Sequence, residues 1–378
     1  MSCVSRAASL LAVLLFAPGA RAAEPGVPAP VCRERLDAVL EAAGAAQGFA
    51  GQVLVGQGGE VAYERVSGLA DRSRKVPHRA GALWPWASVT KQVTALLVMQ
   101  EVEAGRLDLD TPVRSYLPDF AGPTAAAVTL RHLLQHTSGL PNPDDTRSRP
   151  EDVPAFYLQR GRGVTARAVA AGGHCAGAPL NPPGKAFAYN NCDYLLLQAV
   201  LERATGKPYA QLVRERVARP SRAAGLRLAA DGEGGVAGYT AAGARTPAFN
   251  LATYGAAGGL VGPARALLAF DAALLDRRLV SEATTAAMWK GEPAWGYAAL
   301  GAWAFPARLP GCEGMVALVE RRGAIGGVQV RNVLSPAQGR SVIVFTNAAD
   351  VDFGEVWQGR GLTFDVLQAA LCGCPAAK

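Results

Sequence analysis

The spacing of apolar residues predicts strands near both ends of the chain and helices between them. Helical spacing covers 32–46, and two short apolar runs at 51–55 and 61–66 predict the strands of a hairpin. A helix packed against this hairpin is the simplest arrangement of the three elements.

The middle of the chain is mainly helical by the same criterion. The clearest pattern covers 88–104, where apolar residues form a broad face and Gly105 ends the helix. Thr129 would cap a short helix over 129–136. Further helices are predicted over 193–204, 208–218, 264–276 and from Ser281 onwards.

Towards the C-terminus the pattern changes to that of strands. Strands are predicted over 296–303, 314–320, 325–333 and 341–347, and a final helix over 355–371. Because the strands at the two ends would form one sheet, the order indicates an α+β fold with an antiparallel sheet flanked by helices. Besides this sheet we expect a helical subdomain, with 23–80 and 296–378 forming the discontinuous sheet subdomain and 81–295 the mainly helical one.

The N-terminal segment has the pattern of a secretory signal peptide. Arg6 precedes an apolar run at 7–16, and 20–22 is an Ala-x-Ala cleavage site, so 1–22 would be removed. That run is too short to span a membrane, and no other uninterrupted apolar run reaches about 18 residues. Half of the 378 residues are hydrophobic and 18% are charged, which excludes chain-wide disorder. The sequence predicts a soluble, periplasmic or secreted protein.

Removal of this segment changes the charge and the number of cysteines. It removes two of the 38 basic residues and none of the 31 acidic residues, which lowers the formal net charge from +7 to +5. This mild, dispersed charge does not favour a nucleic-acid partner. It also removes Cys3, one of seven cysteines, and the even number that remains predicts disulfides in an oxidising compartment.

Ser88 and Lys91 lie three residues apart at the start of the clearest predicted helix. These positions share a helix face, so Lys91 would lie one turn above the Ser88 hydroxyl. A lysine with a lowered pKa can accept the proton that a serine must lose to become a nucleophile. Taken alone, the pair fits an N-cap serine and a solvated lysine better.

Tyr189, Asn190 and Asn191 follow a Pro-Pro-Gly turn and precede a predicted helix. A phenol beside a lysine can move a proton between a nucleophile and a leaving group, and an asparagine can hold a lysine or a substrate amide. Taken alone, a tyrosine that packs a loop and an asparagine that caps the helix are the favoured interpretation.

Arg321, Arg322, Gly323 and Ala324 lie between two predicted strands. An arginine here could hold a carboxylate with two hydrogen bonds, and backbone N–H groups could supply half of an oxyanion hole. A basic β-turn that faces water is the commoner structure for such a sequence.

Together, and in this order, these segments resemble the serine β-lactamase and penicillin-binding-protein superfamily. The resemblance extends over about 50–347 and is closer to class C β-lactamases, D,D-carboxypeptidases and related esterases. Similar segments lie at 86–92, 107–113, 130–141, 183–191, 257–260 and 345–347.

The resemblance implies a β-lactamase/transpeptidase-like fold and an acyl-enzyme mechanism that needs no metal or other cofactor. Ser88 would attack a carbonyl, while Lys91 and Tyr189 would handle protons, and which of these two is the base stays open. Asn191 would position Lys91 and the acyl amide of the substrate. Backbone N–H groups of Ser88 and Ala324 would bind the oxyanion.

The third segment departs from the family pattern, which usually has Lys or His at its first position. The matching position here is Arg321, or Arg322 if the register shifts by one. Arginine stays charged near neutral pH, so it would bind a substrate carboxylate but would not relay a proton.

Two further sets of residues have structural interpretations. His132 and His136 are four residues apart, but no metalloprotease pattern accompanies them, and we interpret them as structural.

A Cys175–Cys192 bond would fix the loop that delivers Tyr189 and Asn191, the alternative being an unbonded Cys192 buried at a helix start. Cys32 could join Cys372 or Cys374 and tie the terminal helices together.

The sequence therefore predicts an exported serine hydrolase that acts on an amide, β-lactam or ester carbonyl. The alternatives are a D,D-carboxypeptidase or D-aminopeptidase, a small-ester esterase, and a penicillin-binding sensor that is acylated without turnover. We expect a small-molecule or peptidoglycan-derived substrate and a monomeric protein.

Overall fold

The computed structural model describes residues 29–146, 153–161, 163–240, 242–247 and 249–374. The segment expected to be a signal peptide, 1–22, lies outside these ranges. The strands are β1 Gly51–Gln57, β2 Glu60–Ser67, β3 Leu69–Asp71, β4 Val76–Pro77, β5 Trp84–Pro85, β6 Arg227–Leu228, β7 Leu260–Gly262, β8 Trp303–Arg308, β9 Met315–Ile325, β10 Val328–Ser335 and β11 Arg340–Thr346. The α-helices are α1 Arg33–Gln47, α2 Thr90–Glu103, α3 Val113–Tyr116, α4 Leu130–Leu134, α5 Val164–Val169, α6 Cys192–Thr205, α7 Tyr209–Leu212, α8 Arg219–Ser221, α9 Gly255–Gly258, α10 Ala264–Leu275, α11 Glu282–Met288 and α12 Leu362–Leu371.

Strands from both ends of the chain form one antiparallel sheet of six strands, in the order β2-β1-β11-β10-β9-β8. The central pairing joins β1 to β11, with Gly51 opposite Thr346 and Gln57 opposite Arg340. The expected α+β fold, with an antiparallel sheet flanked by helices, is confirmed. Two small sheets, β3-β4 and β5-β7-β6, lie outside it.

The sheet separates two hydrophobic cores, as the alternation of side chains along β11 shows. Ile343 and Phe345 pack into the larger core, which the sheet shares with the helices of the middle of the chain. Val342 and Val344 pack into the smaller core, with residues of α1 and α12. Because strand residues alternate between the two faces, both faces of β11 are buried. The catalytic candidates lie on the face towards the larger core.

Three predicted element boundaries were wrong. The predicted turn at 321–324 does not exist, since β9 continues to Ile325 and the turn is made by Gly326 and Gly327, both with positive φ. The strand predicted over 296–303 instead begins at Trp303, and the last helix begins at Leu362 rather than at 355. The two arginines suggested an exposed turn, but distant partners allow them to lie within a strand.

The six cysteines within the described ranges form three disulfides. Cys175 is bonded to Cys192, as expected, and Cys32 is bonded to Cys374. Cys372 was a candidate partner of Cys32, but it is bonded to Cys312. The reason is its position, because α12 ends at Leu371 and leaves Cys372 beside Leu309, near Cys312.

Replacing Cys175 and Cys192 together by alanine is expected to lower the free energy of unfolding by about 3 kcal/mol. The bond closes a loop with a sequence separation of 17 residues, and restricting a loop of this length in the unfolded chain contributes about that amount. Urea denaturation under non-reducing conditions measures the effect. An unchanged denaturation midpoint would show that the bond does not constrain the unfolded chain.

Candidate active site

Ser88 lies in a 3₁₀ turn, Ala87–Val89, which leads directly into α2. Ala87 has φ +46°, a left-handed conformation that non-glycine residues rarely adopt. Strand β9 approaches this turn closely, since a Cβ on Gly323 would lie 2.7 Å from the Ser88 nitrogen. Glycine is therefore required at position 323 to bring the strand against Ser88.

Lys91 lies in the first turn of α2 and is fully buried. Its Nζ donates hydrogen bonds to Ser88 Oγ at 3.2 Å, to Asn191 Oδ1 at 2.7 Å and to the Ala257 carbonyl at 2.6 Å. Burial, which disfavours the charged form, lowers the pKa of Lys91 to about 8. The lysine is thus close to a state in which it can accept a proton near neutral pH.

Tyr189 completes the contacts of the serine hydroxyl. Its Oη donates to Ser88 Oγ at 2.6 Å and accepts from Arg321 Nη2 at 2.8 Å. Burial raises the pKa of this phenol, but the charges of Arg321 and Lys91 outweigh burial, so the pKa of Tyr189 lies below its ordinary value. The phenol is placed to exchange a proton with Ser88.

Arg321 was expected to face the cavity, but its side chain is buried beside Ser88 and Tyr189. It is 1% exposed, its Nε donates to the Ser88 carbonyl at 3.0 Å, and its Nη2 donates to Tyr189 Oη. The expectation that Arg321 binds a substrate carboxylate is therefore not supported by its orientation. Its fixed charge acts on Tyr189 instead.

The side chain of Arg322 lies on the face of β9 opposite to that of Arg321, and two glutamates neutralise its charge. Its guanidinium forms ion pairs with Glu320 at 3.1 Å and Glu355 at 2.5 Å. The indole ring of Trp303 lies near both guanidinium groups, and its centroid is 4.9 Å from Cζ of Arg321 and 5.4 Å from Cζ of Arg322. Such cation–π contacts help to hold the guanidinium groups in place.

Asn191 connects Lys91 with the loop that follows residues 136–139, whose sequence is His-Thr-Ser-Gly. Its Oδ1 accepts from Lys91, and its Nδ2 donates to Tyr157 Oη at 2.8 Å and to Asp144 Oδ1 at 3.2 Å. Sequence reasoning missed Asp144 and Tyr157, because they lie in irregular segments without a periodic or motif signal.

The His136 ring packs against the Tyr189 ring, with the two ring centroids 4.3 Å apart. Its Nδ1 lies 3.0 Å from Asp193 Oδ2, and Asp193 also accepts from Ser138. Burial and the nearby cations keep the pKa of His136 well below its ordinary value, so the ring is neutral. His132, in contrast, takes part in the capping box at the start of α4. Both contacts agree with the structural interpretation of these histidines.

A cavity of about 640 Å³ opens onto Ser88. Its lining includes Ser88, Tyr189, Asn191, Asp144, Tyr157, Trp303, Arg322, Gly323, Ala324 and Arg331. The structure therefore brings the three segments predicted from the sequence to one place. Within the described ranges, no group of His, Cys, Asp or Glu side chains is arranged to hold a metal ion.

Comparisons with known proteins agree with this geometry. A segment of 206 residues is 37% identical to the esterase EstB of Burkholderia gladioli and covers 49% of each chain. A segment of 173 residues is 31% identical to a D-aminopeptidase of Cereibacter sphaeroides and covers 45% of this chain and 31% of that protein. The matched regions span about half or less of these curated relatives.

The fold is shared with solved structures. The D-amino acid amidase of Ochrobactrum anthropi SV3 superposes with a TM-score of 0.73 at 24% identity, over 89% of this chain and 98% of that one. A family model described as Beta-lactamase matches residues 36–362. Because that match covers well over half of the chain, the protein belongs to the β-lactamase family.

Proposed function

We propose that the protein is a serine hydrolase that cleaves amide, β-lactam or ester bonds of small substrates through an acyl-enzyme. The observation that carries this proposal is the double contact of Ser88 Oγ with Tyr189 Oη and Lys91 Nζ. Two adjacent groups with lowered pKa values can take the proton of a serine hydroxyl, and this makes the serine a better nucleophile. The relatives named esterase and D-aminopeptidase support the same reaction class.

In the first half of the reaction, Ser88 Oγ bonds to the substrate carbonyl carbon, and neutral Lys91 takes up the proton that the serine loses, either directly or through Tyr189, which passes on its own proton as it gains another. The positive charge of Arg321, 2.8 Å from the phenol oxygen, stabilises negative charge on this oxygen during the transfer. Backbone N–H groups of Ser88 and Ala324 would stabilise the oxyanion, since β9 lies against the Ser88 turn.

In the second half, the bond from the carbonyl carbon to the leaving group breaks and the proton moves to that group. A water molecule then attacks the ester on Ser88, and its proton follows the same path back. Asn191 keeps Lys91 in place throughout, because its Oδ1 accepts from Nζ.

A fluorescent penicillin and p-nitrophenyl acetate separate this function from the alternatives. Turnover of the ester supports a hydrolase, and labelling by penicillin followed by fast release supports a β-lactamase. Stable labelling with no ester turnover would support the acylated sensor and would contradict the hydrolase.

The rate is expected to depend on the protonation of Lys91. Because burial lowers its pKa to about 8, kcat/KM should fall about tenfold per pH unit below that value, as the protonated lysine loses its capacity to accept a proton. A pH profile of p-nitrophenyl acetate hydrolysis, corrected for the spontaneous reaction, measures this. A profile that is flat down to about pH 6 would assign the base role to another group.

We further propose that the protein is exported as a monomer and that 1–22 is its signal peptide. Three disulfides support an oxidising compartment. Among the described residues, no helix has the length and apolar character that crossing a bilayer requires. N-terminal sequencing of protein from the periplasm or medium tests the cleavage site, and light scattering tests the monomer.

A further inference from the structure

The side-chain amide of Asn191 contacts chemically opposite groups at its two ends. Its Oδ1 accepts from Lys91 Nζ at 2.7 Å, whereas its Nδ2 donates to Tyr157 Oη at 2.8 Å and to Asp144 Oδ1 at 3.2 Å. A protonated lysine offers only donors, and a carboxylate offers only acceptors. Rotation of the amide by about 180° would bring its NH₂ group against Nζ and its oxygen against the carboxylate, so both contacts would become repulsive. These partners therefore determine which way the amide points.

Tyr157 reinforces this direction because its hydroxyl hydrogen is already used. Its Oη donates to Asp144 Oδ1, which leaves the lone pairs of the oxygen for Asn191 Nδ2. Burial and, after it, the charge of Asp144 hold the pKa of Tyr157 well above its ordinary value, so the phenol keeps its proton. The ring itself stacks on that of Tyr254, with centroids 3.9 Å apart and planes inclined by 2°. Tyr157 thus presents an acceptor to Asn191.

The loop that follows 136–139 holds Asp144 beside this amide. Asp144 lies in the 3₁₀ turn Pro143–Asp145, which Asn142 caps by accepting from the Asp144 N–H at 3.4 Å. The same Asn142 oxygen accepts from the Asn191 N–H at 3.1 Å. One side chain therefore connects the turn that carries the carboxylate with the backbone of the residue that the carboxylate orients.

The direction of the Asn191 amide matters because Lys91 depends on it. Among the described residues, Nζ donates to Asn191 Oδ1, to the Ala257 carbonyl and to Ser88 Oγ, and the contact with Ser88 is the longest, at 3.2 Å. Without the asparagine oxygen, Nζ would lose one of the acceptors that hold it near the nucleophile. A displacement of about 1 Å in a catalytic group can lower a rate by about 10²-fold.

The charge of Asp144 also acts on Lys91. Burial lowers the pKa of Lys91 to about 8 and the charge of Arg321 adds to the lowering, whereas the charge of Asp144 opposes it. The other titratable groups that interact with Lys91 are those of Tyr189, Tyr194, His136 and Asp193. Within this set Asp144 is the exposed group, so its carboxylate can be altered without opening the buried part of the site.

We infer that Asp144 and Tyr157 are positioning residues for acyl transfer, which fix the Asn191 amide with its oxygen towards Lys91 and thereby keep Nζ beside the nucleophile. This inference rests on the proposed hydrolysis at Ser88 and adds two residues to the groups that support it. Both act through Asn191 and need no contact with the substrate. Such supporting hydrogen bonds keep a catalytic group within the narrow range of positions that its reaction requires.

A double-mutant cycle tests the action through Asn191, with kcat/KM for p-nitrophenyl acetate as the measurement. This ester carries no charge, so an ion pair between the substrate and Asp144 cannot contribute. Tyr157→Phe should lower kcat/KM by about ten- to a hundredfold in the otherwise wild-type protein. In an Asn191→Ala background, where no amide is left to orient, the same change should cost less than about threefold. Single-turnover acylation at high enzyme concentration keeps the slow variants measurable.

Tyr63→Phe is the matched control for this cycle. Tyr63 is a buried tyrosine whose Oη also donates to a carboxylate, that of Asp37, at 2.7 Å. It belongs to the smaller core, on the other face of the sheet from Ser88. Its substitution should leave kcat/KM within about threefold of the parent protein in both backgrounds. A loss equal to that of Tyr157→Phe would mean that removal of any such hydrogen bond lowers activity, and the inference would be wrong.

Asp144→Asn provides a readout that a purely structural role would not move. Protonated Lys91 cannot accept a proton, so kcat/KM falls as the pH drops through the pKa of this lysine. Loss of the Asp144 charge lowers that pKa, so the acid limb of the pH profile should move to lower pH and the ratio of the rate at about pH 6 to that at about pH 9 should rise. Asp145→Asn removes the same charge at the next, exposed position and should leave the limb in place.

The outcomes separate this inference from the proposed function. Equal costs of Tyr157→Phe in the two backgrounds, an absence of any cost, or an Asp144→Asn profile that coincides with the wild-type profile would each overturn the positioning role. The proposed function would survive all three results as long as the wild type shows ester turnover that depends on Ser88. An absence of that turnover would overturn the proposed function itself.

Discussion

Replacing Ser88 by alanine is expected to abolish turnover, with kcat reduced by at least about 10⁴-fold. The substitution removes the hydroxyl oxygen that both Tyr189 Oη and Lys91 Nζ contact. Without it no acyl-enzyme can form, and the remaining cavity contributes only binding. The measurement is the initial rate with p-nitrophenyl acetate, together with covalent labelling by a fluorescent penicillin.

Ser115→Ala is a suitable control for this experiment. Ser115 is an exposed serine on α3 and is absent from the lining of the cavity. Its replacement should leave both rate and labelling at wild-type levels. If Ser88→Ala keeps wild-type ester turnover while circular dichroism shows a folded protein, the mechanism proposed for Ser88 is wrong.

Tyr189→Phe is expected to lower kcat/KM by about 10²- to 10⁴-fold, the usual contribution of a general acid–base group. Phenylalanine keeps the ring that packs on His136 and removes only the oxygen between Ser88 and Arg321. Because one hydroxyl is lost, the free energy of unfolding should fall by only about 1 kcal/mol. Single-turnover kinetics on an ester and on a peptide measure the chemical step.

Tyr194→Phe is the matched control for this change. Tyr194 is a buried tyrosine of α6, and its Oη donates to the Leu134 carbonyl at 2.9 Å instead of to Ser88. Its substitution should affect stability to a similar degree and leave kcat/KM within about threefold of wild type. Equal losses of activity in both variants would mean that Tyr189 acts through packing and not through its hydroxyl.

The parts of the site that could be predicted from the sequence depend on local geometry. Ser88 and Lys91 are related by helical spacing within one element, so their contact follows from the sequence alone. Tyr189 and Asn191 were identified by their order along the chain and by resemblance. Their contacts with residues about 100 positions away could not be deduced from periodicity.

The orientation of the Arg321 and Arg322 side chains could not be predicted, because it depends on partners that are distant in the sequence. Two adjacent arginines followed by glycine are typical of an exposed turn, yet Arg321 is buried against Tyr189 and Arg322 is paired with Glu355. Neither partner is near in sequence. In the same way, the choice of Cys374 for Cys32 depends on where α12 ends relative to α1.

The pairing of β1 with β11 also determines when the active site can form during synthesis. Strand β1 has buried residues on both faces, and its partner β11 is among the last elements to be made. Until then the N-terminal hairpin presents an unpaired apolar edge, the kind of intermediate that aggregates and folds slowly. Strand β9, whose Gly323 lies against Ser88, is synthesised only shortly before β11. A nascent chain should therefore gain activity late, and a fragment that ends before β11 should accumulate as insoluble protein rather than as a weak enzyme.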